Sequence, residues 1–157
     1  MAATESVVPV PMRVEDLDAV MRIEVQIYPF PWSRGNFGDS ISAGYDAWRF
    51  LDPTGELAGY AVVMWAVDEV HLLNLSISPG FQGRGLGGHC LRWLMRDASG
   101  RGAVSLLLEV RPSNPRALAL YERVGLRRVG VRRNYYPYFD GAREDAIVMR
   151  IELGRPA

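Results

Sequence analysis

The sequence of 157 residues has one cysteine, Cys90, so no disulfide can form within the chain and a small scaffold stapled by disulfides is excluded. Histidine is nearly as scarce. His71 and His89 are too isolated to supply the three or four converging ligands of a metal site, so no metal is expected. No uninterrupted apolar run approaches the ~18 residues that a membrane-spanning helix needs. The opening MAATESVVPV has neither a basic leader nor an apolar core of signal-peptide length. A cytoplasmic chain with no membrane role is the expectation. Net charge is missing as well: 18 basic and 18 acidic residues cancel, so no global field draws the protein onto nucleic acid. Linkers, low-complexity stretches and internal repeats are also lacking, which predicts one compact domain over residues 1–157.

What is present is an ordinary core-forming composition, 48% hydrophobic and 23% charged. The cations are arginines, which grip phosphates and carboxylates through paired hydrogen bonds. Val7 to Met12 reads as a first strand, followed by Glu15 and Asp16 at the start of a helix running to about Tyr28. On that helix Leu17, Val20, Met21, Glu24, Val25 and Tyr28 share a face expected to be buried. The prolines of PFPW stop it, and Ser33 is placed to cap a second, short helix carrying Phe37 and Ile41. Strands at 47–51 and 57–66 flank the turn chemistry of Asp52, Pro53, Thr54 and Gly55, so an antiparallel hairpin is predicted.

A strand over 70–78 then leads through a glycine-rich stretch into a helix that Gly100 and Gly102 end. The run 103–110 is almost continuously apolar, the pattern of a central strand buried on both faces. A helix from Asn114 to Val124 stops at Gly125, and strands at 126–133 and 146–153 flank a loop, NYYPYFDGARED, before a short tail from Gly154. The order βααβββαβαββ describes an α/β (α+β) chain with a mixed sheet and helices on both faces.

The most informative segment is Gln82 to Gly88, QGRGLGG, between a strand and a helix start. A helix N-terminus offers amide hydrogens without intrahelical acceptors, and glycines let a phosphate reach that backbone. Gly83, Gly85 and Gly88 also satisfy the dinucleotide pattern G-x-G-x-x-G, and Glu109 falls 21 residues later. That pattern needs its turn directly after the strand. Here Ser78 to Gln82 intervene, and too little chain follows for a doubly wound sheet, which argues against a nicotinamide cofactor.

With Gln82 in front, the loop resembles the Q/R-x-x-G-x-G/A signature of the Gcn5-related N-acetyltransferases (GNAT), here Gln82, Gly85 and Gly87. LLLEVRPSNPRALALYERVGL, from Leu106 to Leu126, is similar to the second half of that family's core. FPWS at Phe30 to Ser33, LEVRPSN at Leu108 to Asn114 and RRNYYP at Arg132 to Pro137 are similar to one subgroup, the bacterial ribosomal-protein-alanine acetyltransferases. The similarity extends to DGARED and the closing strand, with an extra residue or so near Tyr138 to Ala142 departing from it. The resemblance implies a mostly antiparallel seven-stranded sheet with four helices, and acetyl-CoA as cosubstrate. It implies that Leu75, Ser76 and Ile77 pair with the pantetheine arm, that Gln82, Gly83, Arg84, Gly85, Leu86, Gly87 and Gly88 hold the pyrophosphate, and that Asn114 touches the cosubstrate. It further implies Glu109 as general base, Tyr121 as general acid, and the N-terminal alanine of a small-subunit ribosomal protein as acceptor.

Each role has a physical basis and a plainer rival. A free α-amine has a pKa of about 7.7 to 8, so a base must take its proton before it attacks a thioester. Glu109, near the end of an apolar strand, suits that task; its plainer rival is an exposed strand-end acid or an ion pair with Arg111. Tyr121 can protonate a departing thiolate or serve as a buried tyrosine with an ordinary hydrogen bond. Asn114 before Pro115 is a natural helix cap. Phe30, Pro31, Trp32, Tyr135, Tyr136 and Tyr138 suit an acceptor-peptide groove or plain packing. Cys90 reads as core filling, neither histidine receives a role, and Arg127, Arg128, Arg132 and Arg133 read chiefly as a solvated strand face. Two other readings remain open: an acetyltransferase for lysine, other protein termini or a small amine, and a non-catalytic acyl-CoA-binding module.

Overall fold

The computed structural model describes residues 7–154. Met1–Ser6 and Arg155–Ala157, hence most of the opening segment and of the tail, lie outside the described residues. The strands are β1 (Val8–Pro11), β2 (Asp46–Leu51), β3 (Leu57–Ala66), β4 (Glu69–Ile77), β5 (Ser105–Val110), β6 (Arg127–Pro137) and β7 (Arg143–Glu152). The α-helices among the described residues are α1 (Leu17–Ile27), α2 (Arg34–Ser42), α3 (Leu86–Gly100) and α4 (Pro115–Val124). The strands hydrogen-bond in the order β1-β2-β3-β4-β5-β7-β6, with β4 and β5 the parallel pair in a mostly antiparallel sheet. Element order and sheet type are those expected.

By their contacts the residues group into two compact units, one reaching Met64 and including Leu73–Leu91, the other holding Trp65–Leu72 and the residues from Arg92 onward. In the first, a 3-10 turn at Val14–Asp16 leads into α1, and the Asp16 carboxylate accepts the Arg13 amide at 2.8 Å. The buried face of α1 carries Leu17, Val20 and Glu24. Val25 departs from expectation: it is 55% exposed, because the helix phase puts the acid, not the valine, inward. Ser33 caps α2 reciprocally, accepting from the Asn36 amide at 3.0 Å while Asn36 accepts from the Ser33 amide at 2.9 Å. Met12, Leu17, Val20, Phe37, Tyr60 and Val62 form the buried cluster, and the Trp32 ring lies 4.9 Å from that of Phe37. The β2–β3 hairpin turns as predicted, with an Asp52 oxygen taking the amides of Thr54 and Glu56, each at 2.9 Å. Gly59 on β3 has a reason of its own: a Cβ there would stand 2.7 Å from the Ser76 carbonyl oxygen.

In the second unit β5 is buried along most of its length, as its apolar run requires. Asn114 caps α4 by accepting the Ala117 amide at 3.2 Å, with Pro115 at the first helical position. Gly125, at φ 118°, ends the helix in the left-handed conformation that glycine tolerates. The last hairpin corrects the expected loop. β6 continues to Pro137 and β7 begins at Arg143, because Tyr136 pairs with Glu144 and Pro137 with Arg143. Only Tyr138 to Ala142 lie between the two strands, folded around a 3-10 turn at Phe139–Gly141 in which Asp140 (φ 56°) and Gly141 (φ 72°) take left-handed conformations.

Candidate active site

In the first unit, β4 is followed by a 3-10 turn at Pro79–Phe81 before the loop opens into α3. That turn supplies the separation between strand and glycines that a nicotinamide fold would not have. Gly83 (φ 80°) and Gly85 (φ 76°) are left-handed, and a Cβ at either would meet nothing within 4 Å. Their cost to a side chain is therefore conformational, and the space beside them is open. Helical bonding begins with His89 donating to the Gly85 carbonyl at 3.1 Å, so the amides of Leu86, Gly87 and Gly88 have no acceptor inside the helix. The loop is braced by its own side chains. Gln82 donates to the Ile77 carbonyl at 3.0 Å, and Arg84 donates to the Gly80 carbonyl at 3.1 Å and lies over the Phe81 ring. Such a loop fits a diphosphate.

A buried polar chain joins α1 and β3 to the end of β4, a convergence not expected from sequence. Glu24, 1% exposed, accepts from the Tyr60 hydroxyl at 2.7 Å and from the Trp32 amide at 2.9 Å. Ser76 donates to Asn74 at 2.8 Å and shares a 2.7 Å hydrogen bond with the Tyr28 hydroxyl. Burial pushes the Glu24 carboxyl above its ordinary value, despite the hydrogen bonds that favour its anion, and pushes the Tyr28 phenol up to about 12. Of the predicted groove residues, Trp32 is thereby fixed from two sides, by the Phe37 ring and by Glu24, while Phe30 is half-buried.

In the second unit the central residue is Glu109, whose side chain is only 6% exposed. Its Oε1 is 2.6 Å from His71 Nε2, and its Oε2 accepts from Arg132 Nε at 3.0 Å. Burial works to raise its pKa, but the His71 and Arg132 interactions outweigh burial and hold the carboxyl below the usual range. Both partners add to the expectations. Arg111, the partner weighed from sequence, binds Glu144 at 3.0 Å and lies 4.2 Å from the Tyr136 ring centroid. Arg132, half-exposed on the solvated β6 strand, is also an ion-pair partner of Glu109. His71, given no role from sequence, becomes legible from the parallel register. It pairs with Leu107, so Glu109, two residues further along β5, projects on the same face.

The aromatic residues of β6 complete this cluster. Tyr135, 43% exposed, and Tyr136 meet edge to face at 4.9 Å. Burial, then the Glu109 charge, raise the pKa of both phenols, and Tyr121 on α4 adds to the field at Tyr136. Tyr121 is half-buried. The start of β7 pins this ribbon: Arg143 donates to the carbonyls of Asn134 and Tyr135 at 3.2 and 2.9 Å, and Asp145 accepts the Asn134 amide at 2.8 Å. Glu144 accepts from Ser113 through its amide (2.8 Å) and hydroxyl (2.9 Å). Among the described residues no group of His, Cys, Asp or Glu has the arrangement of a metal site, and no helix is long and apolar enough to cross a membrane.

The Acetyltransferase (GNAT) family matches residues 17–126. The chain belongs to this family. It is 39% identical over 142 residues to the [Ribosomal protein bS18]-alanine N-acetyltransferase of Escherichia coli K12, an alignment covering 90% of this chain and 95% of that one. The crystal structure of the ribosomal-protein-S18-alanine N-acetyltransferase from Escherichia coli superimposes with a TM-score of 0.86 at 36% identity, covering 96% of both chains. A phosphinothricin acetyltransferase from Sinorhizobium meliloti, solved in complex with AcCoA, shares the fold at a TM-score of 0.77 and 20% identity, covering 95% of this chain and 89% of that one. As a GNAT enzyme the chain is an N-acetyltransferase, and the family's cosubstrate is acetyl-CoA.

Proposed function

We propose that this GNAT enzyme, as one cytoplasmic domain, moves an acetyl group from acetyl-CoA to the N-terminal α-amine of a protein. The acceptor in this reading is the N-terminal alanine of a small-subunit ribosomal protein. The supporting observation is the 39% identity, spread over 90% of the chain, to enzymes named for that reaction on bS18. In this reading the amides and side chains of Gln82 to Gly88 hold the diphosphate, and Leu75, Ser76 and Ile77 hold the pantetheine arm by their backbone. Asn114, already spent on its cap, adds a contact to the cosubstrate. The bound cosubstrate supplies an activated acyl group; the remaining chemistry is proton transfer and positioning.

Glu109 takes the proton of the incoming ammonium, directly or through water, and Tyr121 gives a proton to the departing thiolate. An ionised, 6% exposed carboxylate ringed by Tyr135, Tyr136 and Arg132 supports the first role. Phe30, Trp32, Tyr135 and Tyr136 line the acceptor's path. Of these, Tyr135 and Tyr136 stand on a ribbon pinned at several backbone atoms, which lowers the entropy lost when a peptide binds.

A panel of peptides tests this function, varied at the first residue and presented with the α-amine free or blocked. Acetylation of the free alanine-initiated peptide, with none of the blocked one, is the expected result. Modification of internal lysines in the blocked set would assign the enzyme to side-chain acceptors instead. The cradle has its own test in Gly85→Val, a β-branched side chain at φ 76°. It should raise KM for acetyl-CoA by about tenfold or more, from roughly 1–3 kcal/mol of strain or loop rearrangement, and change kcat much less. Steady-state kinetics at varied acetyl-CoA read both.

A further inference from the structure

The mechanism above leaves one close partner of the base without a task. His71 Nε2 is 2.6 Å from Glu109 Oε1, the side chains are 15% and 6% exposed, and they come from adjacent strands of the sheet's parallel pair. Nothing about either strand requires an imidazole there, since β4 alternates buried and half-buried positions and a branched apolar residue would serve it as well. We infer that His71 is a positioning residue for the transfer reaction, orienting the Glu109 carboxylate through Oε1 so that its other lone pairs face the incoming amine. The inference rests on the reading of Glu109 as the base.

With a proton on Nε2, His71 donates to Oε1 and Arg132 donates to Oε2, so the carboxylate is held in one rotamer with each oxygen fixed. Arg132 is half-exposed and its side chain is long, so the imidazole, 15% exposed, is the stiffer of the two holds.

Other charged and titratable groups also face the pair. On β6 they are Arg132, Tyr135 and Tyr136, the last beneath the Arg111 guanidinium and in the field of Tyr121. Along β4 the same face carries Glu69, which is engaged by Ser105 at 2.6 Å and by Arg150 at 2.5 Å. Arg132 holds Oε2 rather than Oε1, and Glu69 is already paired.

The test is kcat/KM for the acceptor near pH 8, at saturating acetyl-CoA, for wild type, His71→Gln and His71→Leu. Glutamine keeps an N–H donor for Oε1; leucine keeps volume and removes the donor. His71→Gln should stay within about threefold of wild type, while His71→Leu falls tenfold or more. KM for acetyl-CoA should move in neither variant. Should His71→Leu misfold, seen as loss of its cooperative melt, His71→Met, which also lacks a donor, takes its place. A wild-type rate in the folded donor-free variant, or a His71→Gln as slow as that variant, would overturn the inference. Glu109→Gln, run alongside, separates the failures: if it is slow while the His71 variants match wild type, only this inference falls; if it too is fast, the base assignment falls.

Discussion

Replacing Glu109 with glutamine should lower kcat/KM by about 10² to 10³ at pH 7.5, the usual worth of a positioned general base. The substitution keeps volume and leaves an oxygen for one of the two donors, so KM for acetyl-CoA should stay within about twofold. Its signature is the pH dependence. Because the carboxyl is held below the ordinary range by His71 and Arg132, it is already ionised wherever the α-amine titrates, and the wild-type rate does not wait on its deprotonation. Above about pH 9 the acceptor amine is free without help, so the gap between variant and wild type should narrow there. A loss that stays constant to high pH would mean that Glu109 serves as a structural anchor only. The same depressed pKa has a consequence for stability. The ionised form is stabilised by folding, so this contribution is full above the ordinary carboxylate value near pH 4.3 and fades as pH falls through the lower, folded one.

The largest stability effect is expected at Glu24, far along the chain from the other chemistry. Glu24→Ala strips the acceptor from the Tyr60 hydroxyl and from the Trp32 amide and leaves a hole beside Val20 and Leu17 on the same face of α1. Each orphaned buried donor costs about 1–3 kcal/mol, and the offset is the relief of burying a carboxyl, so a net loss of about 2–4 kcal/mol is expected. For a chain of this size that is roughly 4 to 16 °C in Tm, measurable by calorimetry. The sign of the pH effect runs opposite to that of Glu109. A raised folded pKa means the native state holds its proton longer, so the contribution is full below about pH 4.3 and is lost as pH rises through the folded value. Glu24→Gln cannot lose it, so its deficit against wild type should shrink from pH 5 to pH 8. A deficit independent of pH would show that Glu24 is buried as an anion.

What could be read in advance follows from the range of each signal. The glycine loop, the apolar run of β5 and the Asn114-Pro115 cap are local, and the structure has each where the residues put it. The NYYPYFDGARED segment misled because Asn, Pro, Asp and Gly are turn formers, whereas the pairing of Tyr136 with Glu144 that extends both strands depends on a partner strand. His71 was invisible for a related reason. Its contact with Glu109 is fixed by the register of two parallel strands 38 residues apart, and register leaves no mark in either strand alone. Glu24 sat in plain view on the inward face of α1, but a lone acid at an apolar position reads as noise until Tyr60 and Trp32 are seen to converge on it. The exposure of Val25 is the same error seen from the other side.

The central claim is that the amides from Gly83 to Gly88 clasp the diphosphate of acetyl-CoA while Glu109 receives the proton of a terminal amine. A crystal structure with a bisubstrate analogue, coenzyme A joined through its acyl group to an alanine-initiated peptide, tests it most directly. The account predicts the diphosphate on those amides and the peptide's α-nitrogen within hydrogen-bond reach of the Glu109 carboxylate, directly or across one water. A diphosphate bound elsewhere, or a carboxylate turned away from that nitrogen and still locked to His71 and Arg132 with no water between, would contradict it.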